Sequence, residues 1–320
     1  MKKRHTLMTA VLLACTGLLH AQTWPTQSIR LVVPWPPGGG VDTTGRMIAQ
    51  PLALRLGQPI VVDNRAGAGG NIGTEFAAHQ KPDGYTLLMG SISPNAVNLH
   101  LYTRLGFDPV KDFTPITFVS SVPNILVVPA SSPAKTVQDL IALANASPGR
   151  LNYGSGGVGS SQHLAGVLFK SATKVDVVHV PYKGTAPAEA DLVAGHISFM
   201  LDTTTCLPFI AAGKLRALAV ASKARNPALP DVPTFDEVGI PGIYASSWYG
   251  LMGPAGMPRD IVDRLSRETR EILQTPEMKK RMADFGAEIG GGSPEDFTAF
   301  INSEIKRYEE IVRLSGAKLD

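Results

Sequence analysis

Two glycine-rich loops contain the residue types and spacing best suited to chemistry. Loop one spans residues 34–42 and contains Gly38, Gly39 and Gly40, and loop two spans residues 154–160. Each loop follows a predicted strand and precedes a predicted helix, where unpaired backbone N–H groups and the helix dipole attract a phosphate or carboxylate. Glycine also lets the backbone approach such a ligand closely. The two loops predict an anion site held from both sides, although the same glycines would also suit tight turns.

Loop two is compatible with an enzyme as well. Gly154, Gly156 and Gly159 match the G-x-G-x-x-G pattern of dinucleotide-binding proteins, and Asp176 follows Gly154 by 22 positions, near the spacing of a ribose-binding acid. Asp176 begins a predicted strand, however, whereas a ribose-binding acid belongs at the end of one. A nicotinamide-dependent oxidoreductase is therefore retained only as an alternative.

Other candidate residues have ordinary structural explanations beside the chemical ones. Asp42 can cap a helix that opens at Thr43, and His163 can pack or cap within the first turn of the helix after loop two. Asp202 ends a predicted strand at the edge where ligands bind, so it suits either a ligand contact or a turn.

The sequence contains no G-x-S-x-G or H-E-x-x-H motif, and its seven histidines lack metal-ligand spacing. We therefore expect no metal site and no cofactor.

Composition narrows the classes of function further. The 320 residues are enough for two domains, and 18% of them are charged. The formal net charge is +3, and Lys2, Lys3 and Arg4 account for it, so residues 22–320 carry 27 basic and 27 acidic residues. A neutral chain argues against nucleic-acid binding, which needs a basic face.

The N-terminus has the three parts of a secretory signal. The basic residues at positions 2–4 precede an uncharged apolar stretch over residues 7–19, and Ala21 offers a small residue for cleavage. Residues 1–21 are therefore interpreted as a signal peptide that directs export of the chain. A lipid anchor at Cys15 is less favoured, because the apolar stretch continues past it.

Short apolar runs alternate with helical periodicity along the remaining chain. Strands are predicted at residues 28–33, 59–62, 85–89, 125–128, 175–180, 197–201 and 215–220, and helices at residues 43–56, 74–78, 137–146, 161–171 and 187–194. Such alternation predicts an α/β fold with mostly parallel sheets flanked by helices. We expect two lobes with a ligand cleft between them: a discontinuous first domain of residues 22–121 plus 222–320, and a second domain of residues 122–221.

A family resemblance adds to these inferences. It rests on a series of motifs in one order: VPWPPGGGVD at 33–42, VDNRAGAGGN at 62–71, KPDGY at 81–85, FDPVKDFTPI at 107–116, NYGSGGVGSS at 152–161, HVPYKG at 179–184, LPDVPTF at 229–235 and SWYG at 247–250. Over nearly the whole chain after residue 21, the sequence resembles the Bug (TctC-like) family, the periplasmic solute receptors of tripartite tricarboxylate transporters.

The resemblance implies a two-lobed, type II-like periplasmic-binding-protein fold that closes on one small di-, tri- or aromatic carboxylate without catalysis. Carried over position by position, it implies ligand contacts by the two loops and by several weaker candidates: Trp35, Gly39, Gly40, Val41, Asp42, Ser91, Ser155, Gly156, Gly159, Ser160, Thr185 and Asp202. Trp35 stands where the family usually has phenylalanine, and its larger ring could stack on an aromatic ligand or narrow the pocket.

The resemblance also implies partners. It predicts a monomer that delivers its ligand to the membrane subunits of a transporter, and a receptor that feeds a signalling system is the alternative with the same fold.

Overall fold

The computed structural model describes residues 24–320, so the predicted signal peptide lies outside the described residues. The strands are β1 (Ile29–Val33), β2 (Ile60–Asn64), β3 (Thr86–Ser91), β4 (Phe113–Pro123), β5 (Ile125–Pro129), β6 (Asn152–Ser155), β7 (Val178–Pro181), β8 (Phe199–Asp202), β9 (Leu215–Val220), β10 (Ser246–Pro254) and β11 (Glu288–Gly291). The α-helices are α1 (Gly40–Leu56), α2 (Asn71–Ala78), α3 (Asn98–Leu101), α4 (Val137–Ala146), α5 (Ser161–Thr173), α6 (Thr185–Val193), α7 (Leu207–Ala211), α8 (Arg259–Gln274), α9 (Pro276–Asp284) and α10 (Pro294–Ser315).

The strands form two sheets, which confirms the predicted two-lobed α/β fold. The first sheet has the order β11-β4-β10-β3-β1-β2, and the second has the order β7-β6-β8-β5-β9. The chain enters the second sheet between Pro123, which ends β4, and Ile125, which begins β5. It returns to the first sheet with β10.

Both sheets are mixed, whereas the sequence predicts mostly parallel pairing. The strands joined by helices pair in parallel, namely β1 with β2 and β3, and β6 with β7 and β8. The strands next to the crossings pair antiparallel: β10 with β3 and β4, and β5 with β8 and β9. Parallel strands need a crossover helix, and a chain that passes directly from one sheet to the other has none.

Each sheet has its own apolar core. Residues of β1, β3 and α8 pack together in the first lobe, and residues of β5, α4 and α5 pack together in the second. The segment between β9 and β10 places Phe235 and Ile243 in the second core. Burial of these side chains supplies the main stabilising free energy.

Within residues 24–320, no helix combines the length and the apolar character needed to cross a membrane. The same residues include one cysteine, Cys206, which is buried and unpaired.

Candidate ligand-binding site

Loop one and loop two meet at a cavity between the two lobes. The first lobe contributes the loop after β1, the end of β3 and the first turn of α1, and the second lobe contributes the first turns of α5 and α6.

Three helices begin at this cavity. Gly40 opens α1, Ser161 opens α5 and Thr185 opens α6, and all three residues lie on the wall. The first N–H groups of a helix have no acceptor within the helix, and the dipole places partial positive charge there. Among the described residues that line the wall, none is charged. The cavity is therefore suited to an anion held by backbone dipoles and hydroxyl groups.

The Asp42 side chain lies outside the cavity and stabilises loop one by hydrogen bonds. The helix begins at Gly40, three residues before the predicted start, and Asp42 occupies its first turn. The Asp42 carboxylate accepts hydrogen bonds from Gly38 N at 3.0 Å, from Arg46 Nε at 3.0 Å and from Asn64 Nδ2 at 2.9 Å. Burial alone would raise the pKa of Asp42, but these hydrogen bonds together lower it. Asp42 is not among the residues that line the cavity.

The substitution Asp42→Asn is expected to destabilise the protein by about 2–3 kcal/mol at pH 7, because an amide group must face one of these donors. Urea unfolding measures the loss. Asp63→Asn is the matched control: Asp63 bonds Arg65 at 2.8 Å in a more exposed pair, so its loss should stay within about 1 kcal/mol. Equal losses in the two variants would contradict the role assigned to Asp42.

A tryptophan and several hydroxyl groups complete the wall on the side of the first lobe. Trp35 Nε1 donates to Ser91 Oγ at 3.0 Å, which fixes the indole ring beside the cavity. Ser247 and Tyr249 reach the same wall from β10. Trp35 also borders a second, outer chamber, to which Gly156 of loop two contributes.

Loop two is held by two stacked histidines. Gly159 N donates to His163 Nδ1 at 3.2 Å, and Ser155 Oγ lies 2.7 Å from His179 Nε2. The two imidazole rings stack with their centroids 4.2 Å apart. Burial lowers the pKa of His163 to about 4 and, with smaller contributions from His163 and Lys170, that of His179 to about 3. Both rings are therefore neutral at pH 7 and support the loop by hydrogen bonding and stacking.

Gly159 lies at the contact between the lobes. Its carbonyl accepts a hydrogen bond from Ser93 Oγ at 3.0 Å. Its φ is +82°, and a Cβ added there would lie 2.5 Å from Leu101 Cδ1. Glycine is required at this position for close approach of the backbone to the first lobe.

Asp202 lies one layer behind the wall. It is fully buried at the end of β8, and its Oδ1 accepts hydrogen bonds from Thr203 N at 2.7 Å and from Gln162 Nε2 at 3.2 Å. Burial, and then the neighbouring Glu189, raise the pKa of Asp202 well above its ordinary value. Gln162 itself lines the cavity.

The structure brings seven of the twelve sequence-predicted residues to the cavity wall: Trp35, Gly39, Gly40, Val41, Ser91, Ser160 and Thr185. The other five surround it or support it from behind: Asp42, Ser155, Gly156, Gly159 and Asp202. Sequence reasoning missed Ser93, Ser161, Gln162, Thr203, Ser247 and Tyr249. Ser161 and Gln162 lie in the first turn after loop two, and Ser247 and Tyr249 lie in the SWYG motif. The sequence motifs could therefore have indicated these four residues.

The geometry also bears on the dinucleotide alternative. Asp176 precedes β7, whereas Gly156 and Gly159 follow β6, and these two strands pair in parallel. Asp176 therefore lies at the opposite edge of the sheet from loop two. Within the described part of the chain, no group of three or more acidic, histidine or cysteine side chains is placed to hold a metal ion.

Two α/β lobes around one donor-rich cavity, with no charged residue among those described on its wall, define the class of solute-binding proteins. The chain belongs to the tripartite tricarboxylate transporter receptor (TctC) family, because the family model described as "Tripartite tricarboxylate transporter family receptor" matches residues 44–316. The members of this family are periplasmic solute-binding receptors. The predicted family is thereby confirmed.

Curated relatives agree with this assignment over almost their whole length. The chain is 38% identical to Protein BugT of Bordetella pertussis, over 97% of this chain and 96% of the relative. It is 37% identical to a UPF0065 protein in the tcbD-tcbE intergenic region of Pseudomonas sp. (strain P51), over 97% of this chain and 94% of the relative.

Solved structures extend the similarity to the arrangement of the lobes. The R. palustris protein Rpa4515 with adipate superposes with a TM-score of 0.90 at 39% identity, over 92% of this chain and all of that one. MatC from Rhodopseudomonas palustris with bound malate superposes with a TM-score of 0.85 at 33% identity, over 90% of this chain and all of that one.

Proposed function

We propose that this protein captures a small organic carboxylate between its lobes and delivers it to the membrane subunits of a tripartite transporter. The observation that carries the proposal is the convergence of three helix N-termini on a cavity whose described wall residues are uncharged. The adipate and malate in two related structures support the same class of ligand.

Capture needs no covalent chemistry. The N–H groups at the helix starts replace the hydration of the carboxylate, and bridging waters can complete its hydrogen bonds at little cost. Closure occurs between a lobe of residues 22–121 plus 246–320 and a lobe of residues 122–245. The second boundary lies later than the predicted residue 222, because Phe235 and Ile243 pack in the second core. The direct passage from Pro123 to Ile125 supports a hinge near that crossing.

The mature chain begins at residue 22, after cleavage behind Ala21, and acts in the periplasm as a monomer without catalytic activity. The signal pattern at residues 1–21 and the assignment to a family of receptors support this part of the proposal.

A thermal-shift screen of residues 22–320 tests the proposal. Adipate, malate, citrate and benzoate are the probes, dimethyl adipate is the uncharged control, and NAD tests the enzyme alternative. A ligand at 100 times its Kd stabilises the native state by about 2.7 kcal/mol, which should raise the Tm by roughly 5 °C. Stabilisation by at least one carboxylate that is recovered unchanged supports the proposal. Equal stabilisation by the diester, stabilisation by NAD alone, or conversion of the bound acid would overturn it.

A further inference from the structure

Two buried carboxyl groups face each other behind the cavity wall. Asp202 at the end of β8 is fully buried and Glu189 of α6 is 5% exposed, and the Glu189 carboxyl group is a neighbour close enough to raise the pKa of Asp202. Asp202 Oδ2 and Glu189 Oε1 are buried and have no hydrogen-bond partner among the described residues. Two buried carboxylates in contact cannot both be ionised at acceptable cost, but one proton between these oxygens would satisfy both.

Among the described residues, the groups that act on Asp202 offer no compensating positive charge. The titratable groups that act on Asp202 or respond to it are Glu189, the Cys206 thiol and the Tyr249 phenol. Asp284 of α9 borders the same groove as Glu189 and is paired with Lys280 at 2.7 Å. Within the described residues, none of the groups that shift Asp202 is a cation. Neutralisation therefore has to come from a proton.

The position of that proton follows from the remaining hydrogen bonds. Asp202 Oδ1 already accepts from Thr203 N and from Gln162 Nε2, so it is the unprotonated oxygen. The proton belongs on the other side of the pair, between Asp202 Oδ2 and Glu189.

This arrangement fixes the amide group of Gln162. Its Nε2 donates both to Asp202 Oδ1 and to Thr185 Oγ1 at 2.9 Å, and its Oε1 accepts from Gly156 N at 3.4 Å. A flipped amide would place Oε1 against Oδ1, two acceptors in contact. Because the Thr185 hydroxyl accepts from Gln162, its own hydrogen is free to donate, and Thr185 lines the cavity.

We propose that Glu189 and Asp202 share one proton and, through Gln162, set the Thr185 hydroxyl as a hydrogen-bond donor to the bound carboxylate. Glu189, Asp202 and Gln162 are thus positioning residues. The part of this inference that concerns the ligand rests on the proposed function, whereas the shared proton does not.

The shared proton is tested without ligand. Infrared spectroscopy of the wild type at pH 7 should show the carbonyl stretch of a protonated carboxyl group, and Glu189→Gln should lack it, because glutamine supplies the missing donor. Between about pH 5.5 and 7, the ratio of the unfolding constants of wild type and Glu189→Gln should rise about tenfold per pH unit, since only the wild type releases this proton on unfolding. Asp191→Asn, a change at a half-buried site on the same helix, should follow the wild type in both measurements. An absent band or parallel unfolding curves would overturn the shared proton.

The effect on binding is tested with adipate by calorimetric titration. Thr185→Val, which keeps the shape but removes the hydroxyl, should lose about tenfold or more in affinity, as expected for a hydrogen bond to a charged group. Asp202→Leu should lose a comparable factor, and Asp202→Asn should recover most of it, because the asparagine carbonyl still accepts from Gln162 while its amide donates to Glu189. Undiminished affinity in Thr185→Val, or equal affinities of the two Asp202 variants, would overturn the positioning role.

The two proposals fail in different ways. If the wild type binds no carboxylate in the thermal screen, the proposed function fails, and the infrared and unfolding measurements still decide the shared proton. If the wild type binds adipate but lacks the protonated carboxyl group, the function stands and this inference fails.

Discussion

Replacement of Gly39 by leucine is expected to reduce the affinity for the captured carboxylate by at least about 100-fold, with a Tm close to that of the wild type. Gly39 lies on the cavity wall, with φ of −79° and ψ of 170°, a backbone conformation that any residue adopts. A Cβ there would meet Pro36 O at 3.8 Å and no closer atom. The fold should therefore accept the side chain, while its remaining carbons take space that the ligand needs. A loss of about 3 kcal/mol in binding corresponds to this factor.

Calorimetric titration with the acid that gives the largest thermal shift measures the loss. Gly39→Ala is the matched control, and its smaller side chain should leave an intermediate affinity. Wild-type affinity in Gly39→Leu would show that this wall does not face the ligand. Gly159 cannot serve the same purpose, because its positive φ and its contact with Leu101 mean that a bulky residue there would also destabilise the fold.

Acid should destabilise the protein strongly through the histidines behind loop two. A histidine whose pKa is lowered on folding contributes stability that is complete above its ordinary pKa near 6.5 and is lost as the pH falls towards the native value. The pKa of His163 is lowered to about 4 by burial, so this residue alone should account for a loss on the order of 3 kcal/mol between pH 6.5 and 4.

Urea unfolding at several pH values measures this loss, and the difference between variants isolates it from the titration of other groups. His163→Asn keeps an acceptor for Gly159 N but cannot titrate, so its stability should fall less steeply than that of the wild type. His79→Gln, at an exposed site, should follow the wild type. Parallel curves for His163→Asn and the wild type would show that His163 is not held neutral by the fold.

The sequence predicted the features that depend on local pattern. Loop one and loop two lie where predicted, the helix over 137–146 has the predicted bounds, and the α/β class follows from the alternation of apolar runs. In contrast, β10 was not predicted, because two glycines and the flanking Pro254 weaken its strand signal although Trp248 and Tyr249 are fully buried.

The residues that support the cavity wall from behind could not be predicted from the sequence, for a different reason. The sequence placed Asp42 at a helix start and Asp202 at a strand end, but it did not indicate whether their side chains point into the cavity or away from it. Gln162 shows the same limit: its position after loop two was visible, whereas its bond to Asp202 depends on how α5 packs against β8. Contacts between residues 40 positions apart are set by tertiary packing rather than local pattern.

The main-chain origin of the donors at the helix starts has an evolutionary consequence. A point mutation exchanges a side chain but leaves a peptide N–H in place, unless it introduces proline. Binding of a carboxylate through these N–H groups therefore survives most mutations, and the side chains around the cavity can change. A gene duplicated from this one can acquire a new specificity in small steps without first losing the ability to bind an acid.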